Sequence, residues 1–242
     1  MSTRSKWVNG ILTFFDGATA ESVDPLAPIV FYDDFLNTQI QTAASGVEGW
    51  TALSTGTPTT EAILANQHGG VYTIALAATG ENEEVGIYWG DALNWNIDKG
   101  PIFEIRANIS VIPTALTEIY FGLTNAHAAG PISTGGPTIH AVFCLDGAAT
   151  PVLYTDDTSN DIDATVTGVT VTTGAYNIYR IDMTNAADVK FYIDGAGVGG
   201  GTTHDMSTGT DVVLQPYIMA QKASGAGLGT INVDYVRVWS GR

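Results

Sequence analysis

From Ile29 onward the chain alternates apolar and polar residues with a period of two, in short runs. Phe103, Ile105, Ala107 and Ile109 fall on one parity, while Glu104, Arg106 and Asn108 fall on the other. Val189, Phe191 and Ile193 alternate in the same way with Lys190, Tyr192 and Asp194. This pattern marks strands with one buried and one wetter face. Thr184–Asp188 supplies a turn between two such strands, and Asp194-Gly195 opens the next. The same reading predicts strands at Val71–Leu76, Val85–Trp89, Ile119–Leu123, Ile139–Leu145, Val152–Tyr154, Val166–Val171, Tyr176–Met183, Val212–Met219 and Ile231–Trp239. A shorter strand is predicted from Trp50 to Leu53. Ile231 and Val233 share one parity and Val236 and Val238 the other, so the last strand contains a bulge or is buried on both sides. No segment reads as an amphipathic helix. About a dozen short strands joined by long loops describe an all-β, two-sheet antiparallel jelly-roll sandwich.

Residues 1–28 stand apart from this pattern as an N-terminal arm, with the sandwich predicted over 29–242. Trp7, Ile11, Leu12, Phe14 and Phe15 make the arm too apolar for a free tail. Asn9-Gly10 and Asp16-Gly17 are turn signals within it, and Pro25 and Pro28 stiffen the link to the sandwich. Two readings stand: the arm docks on its own sandwich as extra strands, or on another subunit. Arg4 and Lys6 open the chain and no further Lys or Arg follows until Lys99, so the arm is a basic tip on an acidic molecule. Arg4, Lys6, Trp7, Leu12, Phe14 and Phe15 are the candidate anchoring residues.

The formal net charge is −16, with 9 Lys and Arg against 25 Asp and Glu. Such a field disfavours nucleic acid and anionic membranes, which are bound through basic contacts. No apolar run approaches the roughly 18 residues needed to cross a bilayer. The basic start lacks the apolar stretch of a secretory signal, and a single cysteine, Cys144, forms no intrachain disulfide. Synthesis and assembly in the cytoplasm are expected.

Several segments, in order, resemble the concanavalin A-like lectin/glucanase superfamily, a group that also includes laminin G-like jelly rolls. They are Phe31-Tyr32-Asp33-Asp34-Phe35, Gly70–Leu76, Phe103-Glu104-Ile105-Arg106-Ala107, the hairpin Ala175–Gly195 and the final Ile231–Trp239. The resemblance implies a jelly roll and leaves function open, since the group holds hydrolases, lectins and viral structural proteins. Glucanases of the group carry two glutamates on one strand as nucleophile and acid. The corresponding strand, Thr138–Leu145, has no carboxylate. Glu118 stands alone, and Glu81, Glu83 and Glu84 read as a solvated cluster in a turn. His140 falls where catalytic chemistry would lie, but has no partner at motif spacing. His68, His127, His204 and Cys144 show no zinc spacing. No enzymatic activity is expected. Many glucanases of the group hold a structural calcium, and the matching positions are Asp234 with the carbonyls near Asp34 and Gly70. Either calcium binds there or Asp234 simply bonds a loop. Asp156, Asp157, Asp161 and Asp163 form a second acidic cluster without an EF-hand pattern.

Three functional readings follow. The first is a bacteriophage virion structural protein, a capsid decoration or cement protein assembled in the host cytoplasm. Its arm would bind the major capsid protein or sister subunits, with a homotrimer expected. The second is a carbohydrate-binding module or adhesin with Tyr88, Trp89 and Trp95 as stacking platforms, although these residues read equally as core. The third is a diverged glycoside hydrolase. The loops Asn125–Pro137, Asp156–Thr165 and Gly195–Asp205 carry any binding function, and the last is expected to be mobile.

Overall fold

The computed structural model describes residues 29–36, 40, 49–56, 60–67, 69–208 and 212–241, and the backbone alone of residues 3–8, 11–16 and 22–23. In the arm, β1 (Thr3–Val8), β2 (Ile11–Asp16) and β3 (Ser22–Val23) form a three-stranded antiparallel sheet separate from the two larger ones. Arg4 pairs with Phe15, Lys6 with Thr13 and Trp7 with Leu12 in its register. The side chains of these anchoring candidates lie outside the described set.

The remaining strands make two eight-stranded antiparallel sheets, as the alternation predicts. The first sheet contains β4 (Ile29–Asp33), β6 (Thr60–Ile63), β7 (Tyr72–Ala75), β10 (Ile102–Val111), β15 (Tyr176–Asp182), β16 (Lys190–Ile193), β17 (Ala196–Val198) and β19 (Thr230–Ser240). Its order is β17-β16-β15-β10-β19-β7-β6, with β4 also beside β19. The second contains β5 (Thr51–Thr55), β8 (Glu83–Tyr88), β9 (Trp95–Asn96), β11 (Thr117–Thr124), β12 (His140–Asp146), β13 (Val152–Asp156), β14 (Asp161–Val166) and β18 (Val213–Lys222). Its order is β14-β13-β12-β11-β18-β8-β5, with β9 also beside β18.

The predicted parity of β10 is the observed one: Phe103, Ile105, Ala107 and Ile109 are buried in the main core. Phe143 of β12 crosses to the other sheet, with its ring 5.3 Å from both Tyr179 and Phe191. Transfer of such side chains out of water, at about 25 cal/mol per Å², drives the two sheets together. The last strand does contain a bulge. Opposite β10, the register steps from Tyr235 to Val233 and leaves Asp234 unpaired, which lets all four apolar residues reach the core.

Three expectations fail. The strand predicted at Val166–Val171 instead runs Asp161–Val166, and Val166 is exposed. The Gly195–Asp205 segment is no featureless loop, since it supplies β17 and buries His204. Glu83 and Glu84 are not a solvated cluster but lie buried in β8. Glu83 faces inward and pairs with the Lys222 ammonium at 3.2 Å, while Glu84 faces outward.

Candidate functional site

The outer face of the second sheet carries Tyr88, Tyr120, Val142, Cys144, Tyr154, Tyr217 and Met219, which form a second apolar cluster with Ile132. Ile132 belongs to the Asn125–Pro137 loop, which folds back over the strands. Cross-strand register aligns Glu84, Gln221 and Glu118 in one row. Both carboxylates hold the loop. The Gly130 N–H donates to Glu84 Oε1 (2.5 Å), and the Ile132 N–H donates to Glu118 Oε2 (3.0 Å). Gln221 Nε2 donates to the same Glu118 oxygen (3.2 Å). Burial pushes the Glu118 carboxyl above the usual range, against these hydrogen bonds. His127 Nδ1 and the Tyr217 hydroxyl share a hydrogen bond of 2.5 Å, and Asp91 Oδ1 accepts from the His127 backbone N–H (2.7 Å).

The loop therefore covers the tyrosines. Tyr88 lies beneath it, and Trp89 and Trp95 are buried in the main core, so none of the three candidate stacking platforms is open to solvent.

At the end of β12 and β13 the loop leaves a cavity of about 220 Å³, lined by Ser133–Thr138 backbone and side chains, His140 and Asp156. His140 is 3% exposed. Its Nδ1 bonds the Pro137 carbonyl at 2.8 Å, and a carbonyl only accepts, so Nδ1 carries the proton. Burial lowers the pKa and keeps the ring neutral, although Asp156, Asp161 and Asp163 act the other way. Nε2 is then an acceptor, and among the described residues it has no partner. The Asp156 side chain accepts from the Thr158 N–H (2.5 Å) and lines the same space.

Within the acidic cluster Asp157 is structural. Asp157 accepts from the backbone N–H groups of Ser159, Asn160 and Thr208 and from the Thr208 hydroxyl. Burial raises its pKa, but these bonds outweigh it and lower the carboxyl to about 2. His204 bonds Thr155 Oγ1 (3.0 Å) and packs edge-on against Phe191. Cys144 is buried, and His68 lies outside the described residues.

The three positions matched to a calcium site do meet. A Cβ on Gly70 would stand 2.3 Å from the Asp34 carbonyl oxygen, so only glycine permits this approach, and one on Gly69 would stand 3.7 Å from Asp234 Oδ1. The single carboxylate is already neutralised, however, because the Arg106 guanidinium bonds Asp234 Oδ2. That donor set does not fit a divalent cation, which needs several oxygens and net negative charge. Among the described residues no three His, Cys, Asp or Glu side chains converge elsewhere. Chelation is expected to leave the melting temperature unchanged. Asp234→Ala should cost only about 0–1 kcal/mol, since the pair is partly exposed. A melting curve that falls in chelator and recovers with added calcium would contradict both expectations.

No family model and no curated protein matches the sequence. Solved structures do resemble the fold. A protein of unknown function from Shewanella oneidensis MR-1 is 13% identical with a TM-score of 0.57, covering 91% of this chain and 90% of that one. The Emp47p carbohydrate recognition domain is 10% identical with a TM-score of 0.52, covering 86% and 94%. A structure described with the endo-acting O-glycanases that human gut bacteria express to initiate mucin breakdown is 11% identical with a TM-score of 0.51, covering 88% and 99%. At these identities the likeness establishes the lectin-like jelly-roll fold.

Proposed function

We propose that this chain is a non-catalytic glycan-recognition domain that takes a sugar in the cavity beneath the Ser133–Thr138 segment. The observation that carries the reading is a cavity lined by His140 and Asp156, beside which the buried His140 Nε2 is an acceptor without a partner among the described residues. A hydroxylated ligand supplies the donor that His140 Nε2 lacks and adds to the bond Asp156 accepts from Thr158, and a buried acceptor left unpaired otherwise costs about 1–3 kcal/mol. The likeness to the Emp47p carbohydrate recognition domain agrees with this reading. Glu84 and Glu118 both bond loop backbone, which argues against an acid/base pair working on a glycosidic bond.

An immobilised glycan panel tests the proposal. The wild-type chain should retain at least one neutral glycan, and His140→Phe and Asp156→Asn should weaken that binding at least tenfold without altering the far-ultraviolet circular dichroism. No retention on the panel, or retention indifferent to both substitutions, would overturn it.

The separate three-stranded arm sheet favours a second reading, a virion decoration protein anchored through residues 1–28 to a capsid or to sister subunits. Deleting those residues should then leave a folded sandwich of monomeric mass by light scattering. A truncated chain that keeps the native oligomeric mass would remove this reading.

A further inference from the structure

The outer face of the first sheet interleaves four cations with the carboxylates of Glu104, Asp182 and Asp234. Arg106, Arg180, Lys190 and Arg237, four of the nine Lys and Arg, stand on it. Register aligns Tyr192, Arg180, Glu104, Arg237 and Tyr32 in one row across β16, β15, β10, β19 and β4. At about 4.8 Å per strand the row is roughly 19 Å long. Trp239 lies in the adjacent row with the Arg237 guanidinium 4.5 Å and the Arg180 guanidinium 5.9 Å from its ring. Tyr32 is 57% exposed, with the Tyr235 ring 5.8 Å away.

The charges on this face are arranged unevenly. Arg106 pairs with Asp234, Arg180 with Glu104 and Lys190 with Asp188. Arg237 has no ion pair among the described residues and rests on Trp239 instead. Glu104 is held by Arg180 Nε and Nη2 and by the Tyr235 hydroxyl, so its charge is spent within the row.

We infer that this face binds an anionic polysaccharide, one bearing uronate carboxylates or sulfates. The inference extends the glycan-recognition reading to a second site and names an acidic ligand class for it. A guanidinium fork grips a carboxylate or sulfate through two parallel hydrogen bonds. The exposed Tyr32 ring and the partly buried Trp239 ring offer flat apolar contact at low entropic cost, between polar groups that suit hydroxyls. A protein partner would call for a larger apolar centre than Val30, Ile102 and Ile178 provide. Nucleic acid would call for many cations along a phosphate track, which a chain of charge −16 does not offer.

Affinity electrophoresis through gels containing polygalacturonate, heparin or dextran, in about 0.1 M salt, tests the inference. At that salt the Debye length is about 10 Å, so the overall negative field is screened while contacts on the face survive. Polygalacturonate or heparin should retard the wild-type chain. Arg237→Gln and Trp239→Ala should each weaken the retardation at least tenfold with unchanged melting curves, whereas His140→Phe should leave it intact. No retardation by either anionic polymer, or retardation untouched by both substitutions, would overturn the inference. So would a change in sedimentation mass for Arg237→Gln without any polysaccharide binding, which would assign the face to a protein contact. The neutral panel and His140→Phe report on the cavity alone, so the two sites fail separately.

Discussion

Replacing Lys222 by Met is expected to lower stability by about 3–5 kcal/mol, the usual cost of leaving one member of a buried ion pair uncompensated. Lys222 and Glu83 are both fully buried, with the ammonium 3.2 Å from the carboxylate. The ammonium also donates to the carbonyls of Ala77 and Thr79, so the loop after β7 is tied to β18 through this one side chain. Glu83 accepts in turn from the Ala77 N–H (3.0 Å) and from the Thr79 hydroxyl. Taking the cation away strands the carboxylate and two carbonyls in the core. For a domain of this size 1 kcal/mol corresponds to about 2–4 °C, so the melting temperature should fall by roughly 6–20 °C. The double variant Lys222→Met/Glu83→Leu should recover part of the loss, because an apolar pair removes the desolvated charge while the carbonyls stay unpaired. A melting curve for Lys222→Met within 2 °C of wild type would show that the pair contributes little.

That pair also explains where sequence reading stops. Gly80-Glu81-Asn82 has the composition of a turn, and nothing near it in the chain announces that Glu83 will meet a lysine from near the other end of the sequence. The strands were legible because burial follows local parity: β10 and β16 read out their buried faces residue by residue. The bulge in β19 was legible for the same reason, as a change of parity. The second apolar cluster was not, since Tyr88, Tyr120 and Tyr217 sit on an outer face that only the returning Asn125–Pro137 loop buries. His140 stood out as a lone histidine, but its meaning depends on Pro137 and Asp156, which the fold brings to it. The row from Tyr192 to Tyr32 is assembled from five strands dispersed along the chain, so only cross-strand register reveals it. The calcium positions illustrate the converse: the resemblance pointed to Asp34, Gly70 and Asp234 and did not disclose that the Arg106 guanidinium would bond Asp234.

Mild acid should destabilise the fold through its two buried histidines. Burial lowers the pKa of both His140 and His204 below the ordinary value near 6.5. Around His140 the hydrogen bond to the Pro137 carbonyl and the charges of Asp156, Asp161 and Asp163 oppose the shift, and around His204 Asp188 opposes it while Lys190 adds to it. A folded-state pKa below the unfolded one means that the unfolded chain takes up the proton first. The stabilisation is thus complete above about pH 6.5 and is lost as the pH falls below it, by at most about 1.4 kcal/mol per pH unit for each histidine that stays neutral. Three carboxyls act in the opposite sense. Burial raises Glu118 and Asp163, and it raises Glu61 to about 7, so all three favour the folded state more as the pH falls. Asp157, at about 2, loses its contribution only below the ordinary carboxylate range near 4. These carboxyl contributions cancel when wild type is compared with His140→Gln/His204→Gln at each pH, because glutamine does not titrate. Urea unfolding from pH 7.5 to 5.0 should therefore show a stability difference between the two chains that shrinks steadily below pH 6.5, by up to about 3 kcal/mol per pH unit. A difference that stays constant over that range would mean that both imidazoles titrate alike in the folded and unfolded chain, and would remove the case for a neutral His140 as the acceptor in the cavity.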